Sequence, residues 1–343
     1  MPEVAKIQFW PHTTNTDIAS FRLRCQRVEK ALFSLGVNVE RYRDGNTPQV
    51  LVLSKRYDEA TMMIAKRLRS TFGTKLILDI CDNHFAFTST DEVVVKRAKN
   101  LRNAIQAVDM VIASSDYLSG VIRHEVPSHP PIQVIGDLVD PPSSPSLLDK
   151  LSNPIEWLNW KKLDDQLVEV NPILHTRLVW FGNHGSDYVT GGMNDIRRAL
   201  PALLAFHIGQ PLSLTVISNS RRKFEILKRE TDIPMLYMPW SGAFFSLALK
   251  AHAVCIIPIN ANPFTMAKTG NRVATALVHG LVVVADSIPS YRAFEHNVFL
   301  DDWPAGLHHA CQPRDHSKPL LDQSEVNTEV VSKWRMVLEG LLD

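Results

Sequence analysis

Twelve short runs of β-branched and aliphatic residues recur along the chain, and most of the spacers between them carry helical periodicity. This alternation constrains the fold more than any other feature, because it is the pattern of a parallel sheet covered by helices. Six runs lie in the first half: Val4–Trp10, Val37–Tyr42, Val50–Leu53, Lys75–Ile80, Met110–Ala113 and Ile132–Ile135. From about Asp137 to Thr176 the rhythm stops, and Val139–Ser146 is rich in proline and serine, a boundary signal. It restarts with Arg177–Phe181, Leu212–Ser218, Pro234–Met238, Ala253–Ile257, Leu281–Ala285 and Asn297–Leu300. The expectation is two doubly wound, Rossmann-like parallel-sheet domains, residues 1–145 and 177–325, joined by a linker at 146–176. Ligands of open α/β sheets bind outside the carboxyl ends of the strands, so two such domains are expected to face one another across a cleft. A last helical segment, Asn327–Leu342, carries Val330, Trp334, Val337 and Leu341 on one face and has no strand to reach, which suggests that residues 326–343 pack back on the first domain.

Composition narrows the function by exclusion. A length of 343 residues suits two domains, and 45% apolar with 21% charged residues is ordinary for a soluble globular chain. A formal net charge of +1 provides no field to gather nucleic acid. The residues from Met1 to Trp10 carry no secretory pattern and no stretch approaches a membrane span, so a cytoplasmic location is expected, with peripheral contact at the inner face of the membrane left open. Cys25, Cys81, Cys255 and Cys311 are scattered, and His308, His309 and Cys311 lack the further spaced ligands of a zinc site.

Five segments carry candidate chemistry. In Ser20–Gly36 the residues Phe21, Cys25, Val28, Leu32 and Leu35 form an apolar helical stripe with Ser20 as a candidate N-cap. Arg22 and Arg24 fall in its first turn, where the helix dipole disfavours cations unless an anion such as a phosphate sits nearby. Past the strand ending at Ile80, Asp82 and His84 stand where ligands gather. Either could accept a proton from an acceptor hydroxyl, or Asp82 and Asn83 could cap a turn over His84. In the second half, Lys268, Thr269 and Gly270 precede an apolar helix that opens with Asn271 and Arg272, so backbone amides, dipole and two cations would converge on a diphosphate. Gly182 and Asn183 let backbone approach a ligand after the half's first strand, and Trp240, beyond Met238, suits a flat base as well as a core edge. Neither a Walker loop nor a G-x-G-x-x-G fingerprint occurs.

In their order and spacing these segments resemble the GT-B glycosyltransferases, particularly the bacterial group that builds surface polysaccharides and glycoconjugates. The likeness is clearest in Ser20-Phe-Arg-Leu-Arg24, Val134-Ile-Gly-Asp137, and Lys268 to Asp286 with its Asn271-Arg272 and Gly280-Leu-Val-Val-Val-Ala285 core. The resemblance implies donor phosphates on Lys268, Gly270, Asn271 and Arg272, a base near Met238 and Trp240, Gly182 and Asn183 along the cleft, and Asp82 and His84 toward the acceptor. It implies a nucleotide-sugar co-substrate with no cofactor, and a glycan or lipid-linked acceptor. Two departures stand out: aligning on Gly280 puts Ala267 and Thr275 where many retaining members carry a glutamate pair, and Gly182–Gly192 lacks the usual lysine and arginine. No D-x-D triplet occurs, and cations with a helix dipole can neutralise a leaving diphosphate, so no obligatory metal is expected. A nucleotide-sugar epimerase, or a catalytically inactive binding protein of the same fold, would use the same two lobes.

Overall fold

The computed structural model describes residues 6–87, 91–185, 191–316 and 318–342. The chain forms two compact units. The first comprises Met1–Val139, Met266–Thr269 and Ser324–Asp343, and the second comprises Asp140–Thr265 and Gly270–Gln323.

The first unit holds β1 (Ile7–Pro11), β2 (Val39–Arg41), β3 (Val50–Ser54), β4 (Lys75–Ile80), β5 (Met110–Ala113) and β6 (Ile132–Val134), all parallel in the order β2-β1-β3-β4-β5-β6. Their start points follow the apolar runs closely, except that the expected Val4–Trp10 begins in residues 1–5, outside the described part. Central strands are buried on both faces, as a helix-covered parallel sheet requires, and β3 is buried at every position. The C-terminal helix Gln323–Glu339 closes this core with Val330, Val331, Trp334 and Leu338, the Trp334 ring 5.6 Å from that of Phe9.

The helix after β1 departs from a regular α-helix. It runs over residues 19–34 with Ser20 inside rather than at the N-cap, and Arg22–Gln26 is wound as a π-turn. The wider turn buries three consecutive residues, Leu23, Arg24 and Cys25, which a 3.6-residue period cannot do on one narrow face. Leu35, expected in the stripe, is exposed just before Gly36 turns the chain at φ +80°.

The second unit holds β7 (Arg177–Phe181), β8 (Ser213–Ser218), β9 (Met235–Pro239), β10 (Val254–Ile257), β11 (Val282–Ala285) and β12 (Val298–Leu300), parallel in the order β12-β11-β10-β7-β8-β9. Residues 146–176 are not a linker: they fold as the helices Leu147–Ser152 and Pro154–Val170 and belong to this unit. Ser146 and Asp149 form a capping box, and Trp160, Leu163 and Leu167 give the longer helix a buried face. Among the described residues no helix is long and apolar enough to cross a membrane.

Candidate functional site

In an open parallel sheet the crevice lies at the carboxyl ends of the strands, where strand order reverses. In the first sheet the chain passes from β1 out to β2 and returns to β3 on the other side of β1, so the reversal lies between β1 and β3. Pro11, Ser54 and Asp79 align across β1, β3 and β4, which places His12 and Lys55 side by side at the carboxyl edge, with Asp82 two residues beyond the end of β4. His12 donates its backbone N–H to Ser54 O at 3.0 Å, and Lys55 donates to Asp79 O at 2.8 Å. Lys55 adopts φ +53°, a left-handed conformation that costs a residue with a Cβ about 1–3 kcal/mol.

Asp82 is buried and receives the ammonium groups of both Lys55 and Lys268. Burial pushes its carboxyl up, but the two lysines outweigh burial and hold it well below the usual carboxylate range. A carboxylate held in this way balances the charge of two lysines and is a weak proton acceptor. His84 is also buried, with Nε2 4.0 Å from Asp82 Oδ2 and Nδ1 sharing a hydrogen bond with the Tyr57 hydroxyl. Burial takes its pKa down to about 4 against the opposing pull of Asp82, so the ring is neutral near pH 7.

The anion expected near these arginines exists beside Arg24, and it belongs to the protein. Arg24 is only 1% exposed, and its guanidinium donates to Asp79 at 3.1 and 2.5 Å and to Asp137 at 2.8 Å. Burial works against this charge and the two carboxylates restore it. Arg24 therefore fixes the helix to the sheet and does not face solvent as a phosphate ligand would. Arg22 donates to Thr16 O at 2.7 Å. The segment Met266–Thr269 is bound into the same unit: Ala267 is fully buried, its carbonyl accepts from Ser115 Oγ at 2.8 Å, and Thr269 donates to Asp137 at 2.6 Å.

In the second sheet the reversal lies between β7 and β10, and Gly182 follows β7. Arg272, the second residue of the helix Asn271–Val278, lies with Cζ 5.1 Å from the Trp180 ring and 6.0 Å from that of Phe181. A Cβ on Gly182 would stand 3.1 Å from the Trp180 indole and 3.7 Å from Arg272 Cζ, so the missing side chain leaves open the space both border. Arg272 Nε and Nη2 are buried and have no hydrogen-bond partner among the described residues, and the same holds for Trp180 Nε1 on a fully buried ring. Buried donors are nearly always paired, so three unmatched N–H groups beside one glycine call for an acceptor. Within electrostatic range of Arg272 is the carboxyl of Asp195, raised by burial and lowered in part by Arg272 itself.

The remaining candidates divide. Gly270 is the N-cap and admits no side chain, since a Cβ would lie 2.5 Å from Phe294. Asn271 opens the helix. Lys268 groups with the first unit and Arg272 with the second, so the two expected clamp residues have separate surroundings. Asn183 Oδ1 accepts from Gly185 N at 3.0 Å, and residues 186–190 of the expected glycine-flanked loop lie outside the described part. Met238 is fully buried in β9, which corrects its expected place against a base. Trp240 is half-buried and its ring centroid is 4.4 Å from that of Phe245, which stands edge-on to Phe181 at 5.1 Å. Among the described residues no group of three or more His, Cys, Asp or Glu side chains is placed to hold a metal ion. His12, Lys55 and Trp180 did not stand out in the sequence, although the first two each lie two residues past an apolar run.

No protein-family model matches the sequence, and no curated protein matches it. Solved structures do match in three dimensions. HepE of Anabaena in complex with UDP and glucose superposes with a TM-score of 0.57 at 13% identity, over 99% of this chain and 100% of that one. The pneumococcal O-GlcNAc transferase GtfA, in complex with UDP and GlcNAc, gives 0.54 at 13% identity over 92% of this chain, which spans only 60% of GtfA's length. Sucrose-phosphate synthase of Thermosynechococcus elongatus gives 0.54 at 14%, covering 96% and 81%. The fold is GT-B. At these identities the likeness is one of fold, and it agrees with two parallel six-stranded sheets interleaved with helices.

Proposed function

We propose that the protein is a glycosyltransferase that moves a sugar from a UDP-sugar to a hydroxyl of a glycan, free or lipid-linked, in the synthesis of a polysaccharide or glycoconjugate. The observation that carries this reading is Arg272: a cation at a helix N-terminus and at the second sheet's switch point, with two buried N–H groups unmatched. A diphosphate oxygen satisfies such donors, and charge-assisted contacts to phosphate are about twice as strong as neutral ones. Gly182 and Gly270 keep the surrounding space clear, Asn271 and the helix amides add donors, and Trp240 offers a ring for the base. Lys268 we assign to Asp82 rather than to phosphate. With Arg272 and the helix dipole neutralising the leaving group, no divalent ion is obligatory.

Calorimetry with UDP and with uridine tests this directly. Wild type binds UDP, in EDTA as well as in magnesium, and Arg272→Ala weakens that binding about 10- to 100-fold, on the scale of 1.5–3 kcal/mol for a hydrogen bond to a charged group. Uridine binds both alike. Equal UDP affinity in the two proteins removes the phosphates from Arg272, and an epimerised sugar from UDP-sugar alone, without UDP release, replaces transfer by epimerisation.

A further inference from the structure

The second unit carries an apolar face that its own described residues leave open to solvent. Leu147, Leu148, Leu151, Ile155 and Leu158 are each 65% to 74% exposed and follow closely along the chain. Single exposed leucines are ordinary on a protein surface, whereas a contiguous group of this size marks a contact face. The backbone makes the group contiguous. Asn153 donates its N–H to Asp149 O and accepts from Trp157 N–H, both at 3.0 Å, so helical turns lead into and out of the joint between Leu147–Ser152 and Pro154–Val170. Leu147, Leu151, Ile155 and Leu158 then follow the four, four, three spacing of one helix face. That face points away from the core of the unit, because Trp160, Leu163 and Leu167 occupy the opposite side of the longer helix. The helix Leu147–Ser152 buries no residue of its own. Six residues are too few to hold a helix by propensity, and the leucines that could anchor this one are turned outward.

We propose that this face is the contact surface for a second copy of the chain, paired about a two-fold axis. Charge decides against a lipid surface. Between Leu147 and Val170 there are three lysines and five carboxylates, so the local charge is negative, whereas a helix that lies on an anionic bilayer is rich in lysine and arginine. The charges among the leucines already have partners: Asp149 caps its own helix with Ser146, Glu156 accepts from Ser241, and the Lys150 ammonium lies 4.6 Å over the Trp157 ring. Two such faces therefore meet without burying an unpaired charge, the event that costs an interface most. A two-fold pairing sets the stripe against itself, so ridges at a spacing of four on one helix enter matching grooves on the other. It also removes two sets of aliphatic side chains from water at once. Beyond Leu158 the same face turns polar at Lys162 and Asp165, which gives the contact a small apolar core with a polar rim. An interface of that size makes a reversible dimer rather than a permanent one.

Sedimentation velocity of the full chain from about 1 μM to about 200 μM, a range that brackets micromolar pairing, tests the proposal. The mean mass should rise from one chain toward two, and the rise should persist at about 0.5 M salt because no ion pair drives it. Leu148→Glu and Leu158→Glu should each weaken pairing by about 100-fold or more, since one substitution places two carboxylates in the contact, one from each copy. Leu158→Gln, which adds no charge, should weaken it by about 10-fold. These side chains are exposed, so all three variants should keep the wild-type urea midpoint when measured at the lowest concentration. Ile208→Glu, 89% exposed on the helix Ile196–Gly209, should pair as the wild type does. A wild type that stays monomeric throughout, a dimer that survives both glutamate substitutions, or one that dissociates at high salt overturns the proposal. So does a wild type that pellets with phosphatidylglycerol vesicles and loses this in Leu148→Glu, which gives the face to lipid.

Discussion

The carboxyl edges of the two sheets occupy equivalent places in two similar folds, yet they treat their cations in opposite ways. In the first unit Lys55 and Lys268 converge on Asp82, and Arg24 is enclosed by Asp79 and Asp137, so the charge is satisfied from within. In the second unit Arg272 lies over an indole, and two of its N–H groups have no acceptor among the described residues. A basic residue beside a strand end is therefore not a ligand site by itself. What distinguishes the two edges is whether carboxylates arrive at the same point.

The largest expected effect tests whether the first edge is self-contained. Removing one member of a buried charge cluster leaves the others unpaired and costs about 3–5 kcal/mol. Asp82→Ala leaves two ammonium groups facing each other, so urea unfolding should show a loss of about 3 kcal/mol or more on that scale, discounted somewhat because Lys268 is 38% exposed. Arg272→Ala should change the stability of the free protein by about 1 kcal/mol or less, since it abandons two aromatic faces and a longer-range attraction to Asp195 and no paired carboxylate. If the two variants unfold at the same urea concentration, the contrast between the edges is lost.

A second effect of similar or smaller size follows from His84. Its pKa of about 4 in the folded chain lies below the ordinary 6.5, so the unfolded chain binds more protons between those values. Stability supplied by the neutral ring is full above about pH 6.5, falls as pH drops, and is gone below about pH 4, a loss on the order of 3 kcal/mol at 1.36 kcal/mol per pH unit. His84→Gln should flatten the stability profile across that window. His252, buried in the second unit with a pKa also near 4, and the lowered His279 and His316 leave acid sensitivity behind, so the variant reduces the slope and does not abolish it. An unchanged slope in His84→Gln would mean that the ring is already solvated.

The strands of the described residues were legible, the central ones because a parallel strand covered on both faces has no polar side to hide, so β3 and β4 read as apolar runs whatever their neighbours. The helices at 147–170 were not, because their five most exposed aliphatic residues, Leu147, Leu148, Leu151, Ile155 and Leu158, break the expected pattern of apolar inside and polar outside. His12 and Lys55 lie 43 residues apart in numbering and become neighbours only once β3 is known to pair with β1 on the side away from β2, which no local pattern encodes. Arg24 misled for a related reason: the π-turn that carries it inward leaves no mark in the helical period. Lys268 and Arg272 were read as one clamp from their spacing alone, whereas the chain passes from one compact unit to the other at Thr269–Gly270.

The smallest effect is the sharpest test of the second edge, because it adds one methyl group and changes no charge. At Gly182 the new Cβ would meet the fully buried Trp180 indole at 3.1 and 3.2 Å, tighter than an ordinary contact. Arg272, whose Cζ would be 3.7 Å away, can yield, since it lies against aromatic faces and two of its N–H groups are unmatched among the described residues. Gly182→Ala should therefore destabilise the free protein by about 1 kcal/mol, the low end of the cost of overpacking, and displace the guanidinium. UDP affinity should fall about 10-fold, equivalent to about 1.4 kcal/mol, and uridine affinity should not change. Gly242→Ala, where a Cβ meets nothing within 4 Å, controls for the loss of backbone freedom. If Gly182→Ala and Gly242→Ala bind UDP alike, the space beside Arg272 is not where the phosphates lie, and the unmatched donors of Arg272 and Trp180 serve some other acceptor.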